Sequence, residues 1–125
     1  MRLLLDTHVV LWGLEGSRTL SPAAQEAIEQ ATDLLFSVVS LAEIGVKAAI
    51  GKLSVPRDLF EHVLRSGVQV LRLDAEPALA VADLPMHHRD PFDRLLVAQA
   101  RSEHLTIITS DRRIAAYDVP VVDAG

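Results

Sequence analysis

The sequence predicts an α/β fold in which a mostly parallel central sheet is covered by helices. Short aliphatic and β-branched runs alternate with longer helix-favouring stretches along the chain, and strands that alternate with helices in this way build parallel sheets. The chain has 125 residues, of which 50% are hydrophobic and 23% are charged, which supplies the apolar surface for one core. We therefore expect a single domain over residues 1–125 without an internal linker.

Five segments have the composition of strands. The first is a short aliphatic run after the initiator Met, and the second is a compact apolar and β-branched run typical of a strand covered on both faces. We expect the fifth at an edge of the sheet. The predicted strands are residues 2–5, 34–39, 68–73, 105–109 and 120–122.

Helix signals fill the segments between these strands. Ser21-Pro22 provides an N-cap with proline at the first helical position, and the alanine-rich stretch after it favours a helix. Ser40 begins the next helix, and Asp90-Pro91 begins the longest one. The predicted helices are residues 9–14, 22–32, 40–50, 58–65, 76–84, 91–104 and 111–117.

Acidic side chains recur where predicted strands give way to helices. Asp6 follows the first strand, Glu43 lies in the first turn after the second, and Asp111 follows the fourth. Asp90 and Asp93 lie in the first turn of the longest helix. In a parallel sheet these junctions share the carboxyl edge, where ligands bind in open α/β folds. The five acids are therefore candidates for one site.

Helix capping offers a second interpretation of the same acids. Acids in the first turn of a helix complement the helix dipole and accept capping hydrogen bonds. Ser40 and Glu43 have the three-residue spacing of a capping box, as do Asp90 and Asp93. Glu43 can also pair with Lys47 one turn later. Taken singly, each acid fits a structural role as well as a functional one.

Converging carboxylates would need a cation, because like charges at short range repel and raise one another's pKa. The chain has no cysteine and 5 histidines, and a set of carboxylate oxygens favours Mg²⁺ or Mn²⁺ over zinc. Such a site suits phosphodiester hydrolysis, in which metal ions activate water and stabilise the leaving oxygen. The lack of cysteine excludes disulfides, thiolate zinc sites and a cysteine nucleophile.

Four sequence blocks, in this order and at these separations, resemble the signature of PIN domains. They are LLLDTHVVLW, SVVSLAEI, DPFDRLLVAQA and IITSD. The third block is similar to that of VapC-like toxins in particular. By this resemblance the acidic metal-binding and catalytic positions are Asp6, Glu43, Asp93 and Asp111. The resemblance also implies a PIN-like three-layer α/β/α sandwich.

The activity implied by the resemblance is that of an endoribonuclease that depends on Mg²⁺, with Mn²⁺ as a substitute. The resemblance of the third block to VapC-like toxins implies, further, that the chain is the toxin of a type II toxin–antitoxin system. The implied partners are an RNA substrate, a small cognate antitoxin protein and a second copy of the chain in a homodimer.

Polar residues next to these acids have two open interpretations. Thr7, Ser40, Thr109 and Ser110 either hydrogen-bond the carboxylates or metal-bound water, or only cap helices. Asp90 is a further candidate metal ligand, although a role as N-cap explains it fully.

Basic residues near the acids also have alternative roles. Arg94, Arg112 and Arg113 directly follow acids, so they are candidates for contacts to RNA phosphates, the alternative being ordinary solvated helix faces. His87 and His88 are adjacent in a polar loop, and adjacent loop positions rarely aim at one ion. We therefore expect both histidines to be exposed to solvent.

The net charge of -5 has the wrong sign for a protein that holds nucleic acid by neutralising phosphates alone. The sign is reconciled if the negative charge is concentrated in a metal site or is covered by a basic partner. The apolar surface of residues 22–32 and 46–60 exceeds what a lone small domain readily hides, which suggests a protein interface.

Neither a signal peptide nor a membrane helix is expected. Asp6 and His8 interrupt the opening apolar run, and no segment approaches the roughly 20 apolar residues of a membrane span. We expect a cytoplasmic protein without membrane contact. Two other functions stay open, namely a catalytically inactive PIN-fold binding module and a phospho-accepting receiver domain. A receiver uses a lysine late in the chain, whereas the lysines here are Lys47 and Lys52.

Overall fold

The computed structural model describes residues 1–16 and 18–125 and contains one five-stranded sheet. Its strands are β1 (Arg2–Leu5), β2 (Asp33–Ser37), β3 (Gln69–Leu71), β4 (Thr106–Thr109) and β5 (Val121–Asp123). Every neighbouring pair is parallel, in the order β3-β2-β1-β4-β5. The predicted parallel sheet is confirmed, and β5 lies at an edge as expected.

Helices connect the strands throughout the described residues. They are α1 (Thr7–Glu15), α2 (Pro22–Gln30), α3 (Val38–Ala49), α4 (Leu59–Arg65), α5 (Ala75–Ala80), α6 (Pro91–Glu103) and α7 (Arg112–Ala115). A 3₁₀ turn over Val81–Asp83 follows α5. Within this part of the chain, none of the helices has both the length and the apolarity needed to cross a membrane.

The sheet is buried on both faces, because successive side chains of a strand point to opposite sides. On one side Leu4 of β1 packs with Leu96 of α6 in a cluster that also includes residues of α7. On the other side Leu3 and Leu5 pack with α1 and α2, and a third cluster joins α1, α3 and α4 around Phe36 of β2. Helices therefore cover both faces, and the predicted three-layer α/β/α sandwich is confirmed.

The carboxyl ends of the strands meet at one edge of the sheet. Leu5 at the end of β1 pairs with Ile108 of β4, and Ser37 at the end of β2 pairs with Leu71 at the end of β3. Each residue that follows β1, β2 or β4 therefore starts from the same edge. This register brings Asp6 and Asp111, which follow β1 and β4, to the same edge.

The start of α3 differs from the prediction. Residues 34–39 were expected as a strand and Ser40 as the N-cap, but β2 ends at Ser37, whose hydroxyl accepts a hydrogen bond from the Val39 N–H at 2.9 Å. Two β-branched valines therefore form the first turn of the helix. The predicted capping box of Ser40 and Glu43 is wrong, because both residues lie inside α3.

Other boundaries shifted by a few residues. Predicted strand 68–73 is limited to Gln69–Leu71, and predicted helix 76–84 divides into α5 and the 3₁₀ turn. The helix after Ser21 ends at Gln30, and α7 covers only Arg112–Ala115. Such short terminal turns are decided by packing, which local sequence signals do not specify.

Candidate metal centre

Asp6 extends from the end of β1 into the carboxyl edge of the sheet, and it is only 3% exposed. Its N–H donates to the carbonyl of Ile108 at 3.0 Å, which continues the pairing of β1 with β4. Its Oδ2 accepts a hydrogen bond from Thr109 Oγ1 at 2.7 Å.

The second oxygen of Asp6 has no hydrogen-bond partner. Across residues 1–16 and 18–125, Asp6 Oδ1 is the one fully buried side-chain nitrogen or oxygen in this condition. Leaving a buried carboxylate oxygen without a donor is costly. A cation bound at Oδ1 would remove that cost, so this atom fits a metal ligand.

Glu43 reaches the same edge from the second turn of α3 and is 2% exposed. Thr7 Oγ1 lies 2.8 Å from Glu43 Oε1 and 2.7 Å from Ser40 Oγ. Because a carboxylate can only accept, Thr7 donates its single hydrogen to Glu43 and accepts one from Ser40. Lys47 Nζ donates to Glu43 Oε2 at 2.5 Å, and this confirms the expected pair one helical turn apart.

Asp93 and Asp111 converge on one histidine nitrogen. His88 Nε2 lies 2.9 Å from Asp93 Oδ2 and 2.9 Å from Asp111 Oδ2. These three residues are the one group of histidine and acidic side chains, in the described part of the chain, whose potential ligand atoms all lie within 4.8 Å of one another. Asp6 and Glu43 lie outside this group.

His88 is a site residue that the sequence did not identify. It was expected in solvent, but it is 4% exposed, whereas His87 beside it is exposed as predicted. The error has a physical cause: Asp111 comes close to the loop only because α7 packs near the start of α6. A spacing of 23 residues in sequence carries no local signal for that contact.

Burial and like charge dominate the electrostatics of the centre. Burial raises the pKa of Asp93 to about 8, and the negative charges of Asp6, Asp90, Glu43 and Asp111 add to the increase. The five acids therefore act on one another electrostatically. Without a cation, Asp93 keeps its proton at neutral pH.

The pKa values of Asp6 and Asp111 move in opposite directions. Burial raises the pKa of Asp6, and the hydrogen bond from Thr109 opposes this only in part. Burial acts in the same sense on Asp111, but hydrogen bonds from the Arg113 N–H and from His88 outweigh it, so the pKa of Asp111 lies below its ordinary value. Asp111 is therefore ionised at neutral pH.

Asp90 caps α6. Its Oδ1 accepts hydrogen bonds from the N–H groups of Phe92 at 2.8 Å and Asp93 at 3.4 Å. Its charge also raises the pKa of Asp93 and that of Lys47. Asp90 therefore does the structural work expected of it, and a role in metal binding stays a prediction.

The hydroxyl residues differ in how they contact the acids. Thr109 joins two of them, because it donates to Asp6 Oδ2 and accepts a hydrogen bond from the Asp111 N–H at 3.0 Å. Ser110 instead lines a shallow cavity together with Asp111 and Arg112. Thr7, Ser40 and Thr109 thus adjoin carboxylates, whereas Ser110 lies at the rim.

Arg94 does not face RNA, and this prediction is contradicted. Its side chain is 7% exposed, and its guanidinium donates to the carbonyls of Val81 at 2.8 Å, Leu84 at 3.2 Å and Pro85 at 2.9 Å. It also donates to Tyr117 Oη at 3.1 Å. Arg94 therefore fixes the loop before α6 from within the protein.

Arg112 and Arg113 are exposed at the rim of the centre. Arg113 Nε lies 3.4 Å from Asp111 Oδ1, and Arg112 lines the cavity beside Asp111. Both remain candidates for phosphate contacts.

The centre as a whole combines hard oxygen donors with one buried carboxylate oxygen, Asp6 Oδ1, that lacks a hydrogen-bond donor. Asp93 and Asp111 both lie 2.9 Å from His88 Nε2, Asp6 is joined to Asp111 through Thr109, and Glu43 is held by Thr7 and Lys47. Carboxylate oxygens of this kind suit Mg²⁺ or Mn²⁺. The donor set therefore fits a divalent cation, which would relieve the repulsion among the acids.

Comparison with known proteins gives matches along nearly the whole chain. The sequence model of the PIN domain matches residues 3–120. Ribonuclease VapC22 of Mycobacterium tuberculosis (strain ATCC 25618 / H37Rv) is 34% identical over 124 residues, which is 94% of this chain and 92% of the relative.

Solved structures match the fold. A chain of VapBC2 from Rickettsia felis, bound to a DNA fragment from its promoter, has a TM-score of 0.73 at 12% identity and covers 100% of both chains. A chain of DNA-bound VapBC from Salmonella typhimurium has a TM-score of 0.70 at 17% identity and covers 98% of both. A chain of VapBC-1 from nontypeable Haemophilus influenzae has a TM-score of 0.68 at 20% identity, again with 98% coverage of both.

Proposed function

The chain belongs to the PIN domain family, and on this premise we propose that it is a metal-dependent endoribonuclease, the toxin of a type II toxin–antitoxin system. The ribonuclease activity named for the relative supports the chemistry. The observation that carries the proposal is the meeting of Asp6, Glu43, Asp93 and Asp111 at the carboxyl edge of the sheet, with one buried carboxylate oxygen lacking a donor.

In this proposal Asp6, Glu43, Asp93 and Asp111 hold Mg²⁺, for which Mn²⁺ can substitute, and Asp90 is a further candidate. When bound, the cation supplies activation of water and stabilisation of the leaving oxygen of the phosphodiester. The chain itself orients the carboxylates, and Asp93 gives up the proton that it holds at neutral pH. Metal affinity is therefore expected to rise with pH.

The surrounding residues have supporting roles in the same proposal. Thr7 and Ser40 hold the Glu43 carboxylate, and Thr109 holds Asp6. Arg112 and Arg113 are exposed at the rim of a negatively charged centre, where a guanidinium can contact a phosphate. They would offset part of the repulsion between RNA and a chain of net charge -5.

We also propose a small antitoxin and a second copy of the chain as partners, because the solved structures of similar fold include VapBC complexes. Large apolar side chains are exposed on α3 and α4 and directly after α3, namely Val46, Phe60, Leu64 and Ile50. A basic antitoxin side chain would neutralise the acids. The matched span of residues 3–120 favours one domain over residues 1–125, and an RNA substrate favours the cytoplasm.

The direct test is cleavage of a mixed RNA pool by the purified protein. We expect cleavage with Mg²⁺ or Mn²⁺ and its loss in excess chelator. Asp6→Asn, Glu43→Gln and Asp93→Asn should each reduce the rate by orders of magnitude while the fold is retained, as checked by circular dichroism. Asp118→Asn is the matched control, because Asp118 is exposed and precedes β5, at the amino-terminal ends of the strands and not at their carboxyl ends.

Two results would contradict the proposal. One is cleavage that persists in chelator after contaminating nuclease has been excluded. The other is a wild-type rate in all three variants of the acids. The partners are tested separately, by light scattering for the homodimer and by copurification with the product of the neighbouring gene for the antitoxin.

The RNA cleavage assay also tests the two alternative functions, an inactive binding module and a receiver domain. An inactive PIN-fold binding module would bind RNA or protein without cleaving RNA. A receiver domain would accept a phosphoryl group and would need a free lysine at the acids, whereas Lys47 is paired with Glu43. Family membership disfavours the receiver domain.

A further inference from the structure

His88 lies within the acidic centre, but the proposed function gives this side chain no role. Its ring lies between the loop before α6 and the start of α7, with Nε2 at 2.9 Å from both Asp93 Oδ2 and Asp111 Oδ2. On the other side of the ring, Nδ1 accepts a hydrogen bond from the Asp90 N–H at 3.1 Å. Both ring nitrogens are therefore engaged.

The contact with Asp90 fixes which nitrogen of His88 carries hydrogen. A backbone N–H can only donate, so Nδ1 must offer its lone pair, and the hydrogen of the neutral ring is on Nε2. A hydrogen on Nδ1 would oppose the Asp90 hydrogen across 3.1 Å. Nε2 therefore donates to Asp111 Oδ2, and Asp93 Oδ2 lies at the same distance of 2.9 Å from this nitrogen.

A nitrogen that carries hydrogen has no lone pair for a metal ion. Geometry alone groups His88 with Asp93 and Asp111 as potential ligands, but the hydrogen-bond pattern makes His88 a donor to Asp111 instead. Histidine ligands usually bind metal through one nitrogen and donate from the other to a carboxylate or carbonyl. In His88, Nδ1 accepts a hydrogen bond from the backbone N–H of Asp90, and Nε2 donates one to Asp111.

The rest of the loop holds the ring in place. The His88 N–H donates to Tyr117 Oη at 3.0 Å, and Arg94 donates to the same oxygen at 3.1 Å. Arg94 also binds carbonyls of residues 81–85. The position of His88 is thus determined by a buried network that reaches from α6 to the segment after α7.

We propose that His88 is a positioning residue of the metal centre: its Nε2–H group donates to Asp111 and lies against Asp93 Oδ2, which fixes the spacing of the two side chains for the cation. The inference rests on the proposed function and adds a residue to it. Because Asp93 lies in α6 and Asp111 directly precedes α7, their contact with one histidine nitrogen sets their separation before metal binds. Without the His88 ring both acids are still present, but their carboxylates are no longer aligned for the cation.

The first test is the affinity for Mn²⁺, measured by titration calorimetry on the full chain. His88→Ala should raise the Kd by roughly 10- to 100-fold. His88→Gln should recover most of the affinity, because its amide nitrogen can donate from a similar position. His87→Ala is the matched control, since His87 is adjacent and exposed and contacts Tyr117 only edge-on at 4.9 Å between ring centroids.

The second test uses the wild-type protein, so it does not depend on a variant that folds. Long-range ¹H–¹⁵N NMR of the histidine rings should find His88 as the Nε2–H tautomer both in chelator and with Mg²⁺. Loss of hydrogen from Nε2 on Mg²⁺ addition would make His88 a ligand and overturn the proposal. A Kd unchanged in His88→Ala, or equally weak in His88→Ala and His88→Gln, would also overturn it.

These outcomes are separate from those that decide the proposed function. If wild type binds Mn²⁺ with the expected dependence on His88 but does not cleave RNA, the nuclease is wrong and the positioning role stands. If it cleaves RNA and His88→Ala binds Mn²⁺ normally, the nuclease stands and the positioning role is wrong. No binding of Mn²⁺ by wild type would overturn both.

Discussion

Asp93 holds a proton at neutral pH that the same residue would lose in the unfolded chain. Its pKa is about 8 in the folded protein against an ordinary value of 3.8, and its side chain is only 13% exposed. At pH 7 the folded protein must therefore take up a proton or bury a charge among other acids. Either choice lowers the free energy of unfolding when metal is absent.

Asp93→Asn should therefore stabilise the metal-free protein, because asparagine is neutral and resembles the protonated acid in shape, while Asp90 still caps the helix. One pKa unit corresponds to about 1.4 kcal/mol, so we expect a gain on the order of 2 to 4 kcal/mol in chelator at pH 7. This corresponds to a Tm increase of roughly 5 °C or more for a domain of this size. Thermal unfolding measures it.

Metal should reduce or reverse the difference in Tm between the wild type and Asp93→Asn. With Mn²⁺ the wild type gains RT ln(1 + [L]/Kd) and the variant gains less, so the difference in Tm should narrow or invert. If Asp93 only complements the helix dipole, its amide variant is slightly less stable in chelator and indifferent to metal. That result would remove Asp93 from the centre.

Arg94 provides a second prediction for a single residue. Replacing it with Leu removes hydrogen bonds to the carbonyls of Val81, Leu84 and Pro85 and to Tyr117 Oη. Hydrogen bonds to charged groups contribute about 1.5 to 3 kcal/mol, so the loss in urea unfolding should be on the order of 3 kcal/mol or more. Arg94→Lys should not restore it, because an ammonium lacks the planar fork.

Arg112→Ala is the matched control for this change, because Arg112 is exposed. Its unfolding free energy should change by less than about 0.5 kcal/mol. Equal stability losses in the Arg94 and Arg112 variants would contradict the structural role of Arg94.

Single residues differ in how far the sequence predicts them. Asp6, Glu43 and Asp111 were candidates because they follow predicted strands, Asp93 because it lies in the first turn of the longest helix, and the resemblance to PIN domains selected these four. The sequence did not predict that His88 and Arg94 are buried, because His88 was expected in solvent and Arg94 at the RNA phosphates. Their burial depends on the contacts of the loop before α6 with Tyr117, which lies 23 residues or more away in sequence.

Among the helices, α3 carries Glu43, and its start determines where that acid points. Ser37 caps the helix, and the same hydroxyl donates to Gln99 Oε1 of α6 at 2.5 Å. Ser37 and Ser40 are both acceptable caps from local sequence, and the Val38-Val39 pair resembles the end of a strand. The contact with Gln99, 62 residues away, favours the earlier start. Local propensity therefore predicted the helix but not its first turn.

Ser37→Ala should destabilise the protein, because it removes a cap and leaves Gln99 Oε1 buried without its donor. The cap contributes about 1 kcal/mol, and a buried unsatisfied acceptor costs about 1 to 3 kcal/mol. We expect a loss on the order of 2 to 3 kcal/mol in urea unfolding. Ser54→Ala, at an exposed serine between α3 and α4, should be nearly neutral. Equal losses in both variants would refute the cap assignment.

For the whole molecule, the alternation of strands and helices predicted the sheet and its parallel direction. It did not predict that β1 would be central, because strand order depends on which helices cover which face. The small errors at residues 34–39 and 76–84 left the layers intact, since the apolar residues still reach the core. The resemblance to PIN domains supplied the sandwich that alternation alone left unspecified.

The pH dependence of stability is a property of the whole metal-free molecule. The pKa of Asp93 is raised to about 8 and that of Asp6 is also raised, so the folded chain binds more protons than the unfolded chain above about pH 4. Unfolding free energy falls with pH wherever this holds. In chelator we therefore expect these two acids to lower stability progressively as the pH rises from about 4 to about 8.

Urea unfolding at several pH values measures this effect. Asp93→Asn is the internal control, since it should flatten the decline between about pH 5 and pH 8. Saturating Mg²⁺ should oppose the decline in the wild type, because the ionised acids are then neutralised. An identical pH profile in wild type and variant would show that Asp93 does not titrate in this range.

The central position of β1 also has a consequence for the newly made protein. Its two neighbours come from opposite halves of the chain, β2 near residue 33 and β4 near residue 106, and Asp6 is tied to Ile108 only when β4 has joined. A nascent chain is made from its N-terminus. Asp6 is therefore synthesised early, and the acidic centre cannot form until nearly the whole chain, including β4 and Asp111, has been translated. Under the proposed function, a nascent or truncated chain that lacks β4 and Asp111 has an incomplete metal centre, and we expect it not to cleave RNA.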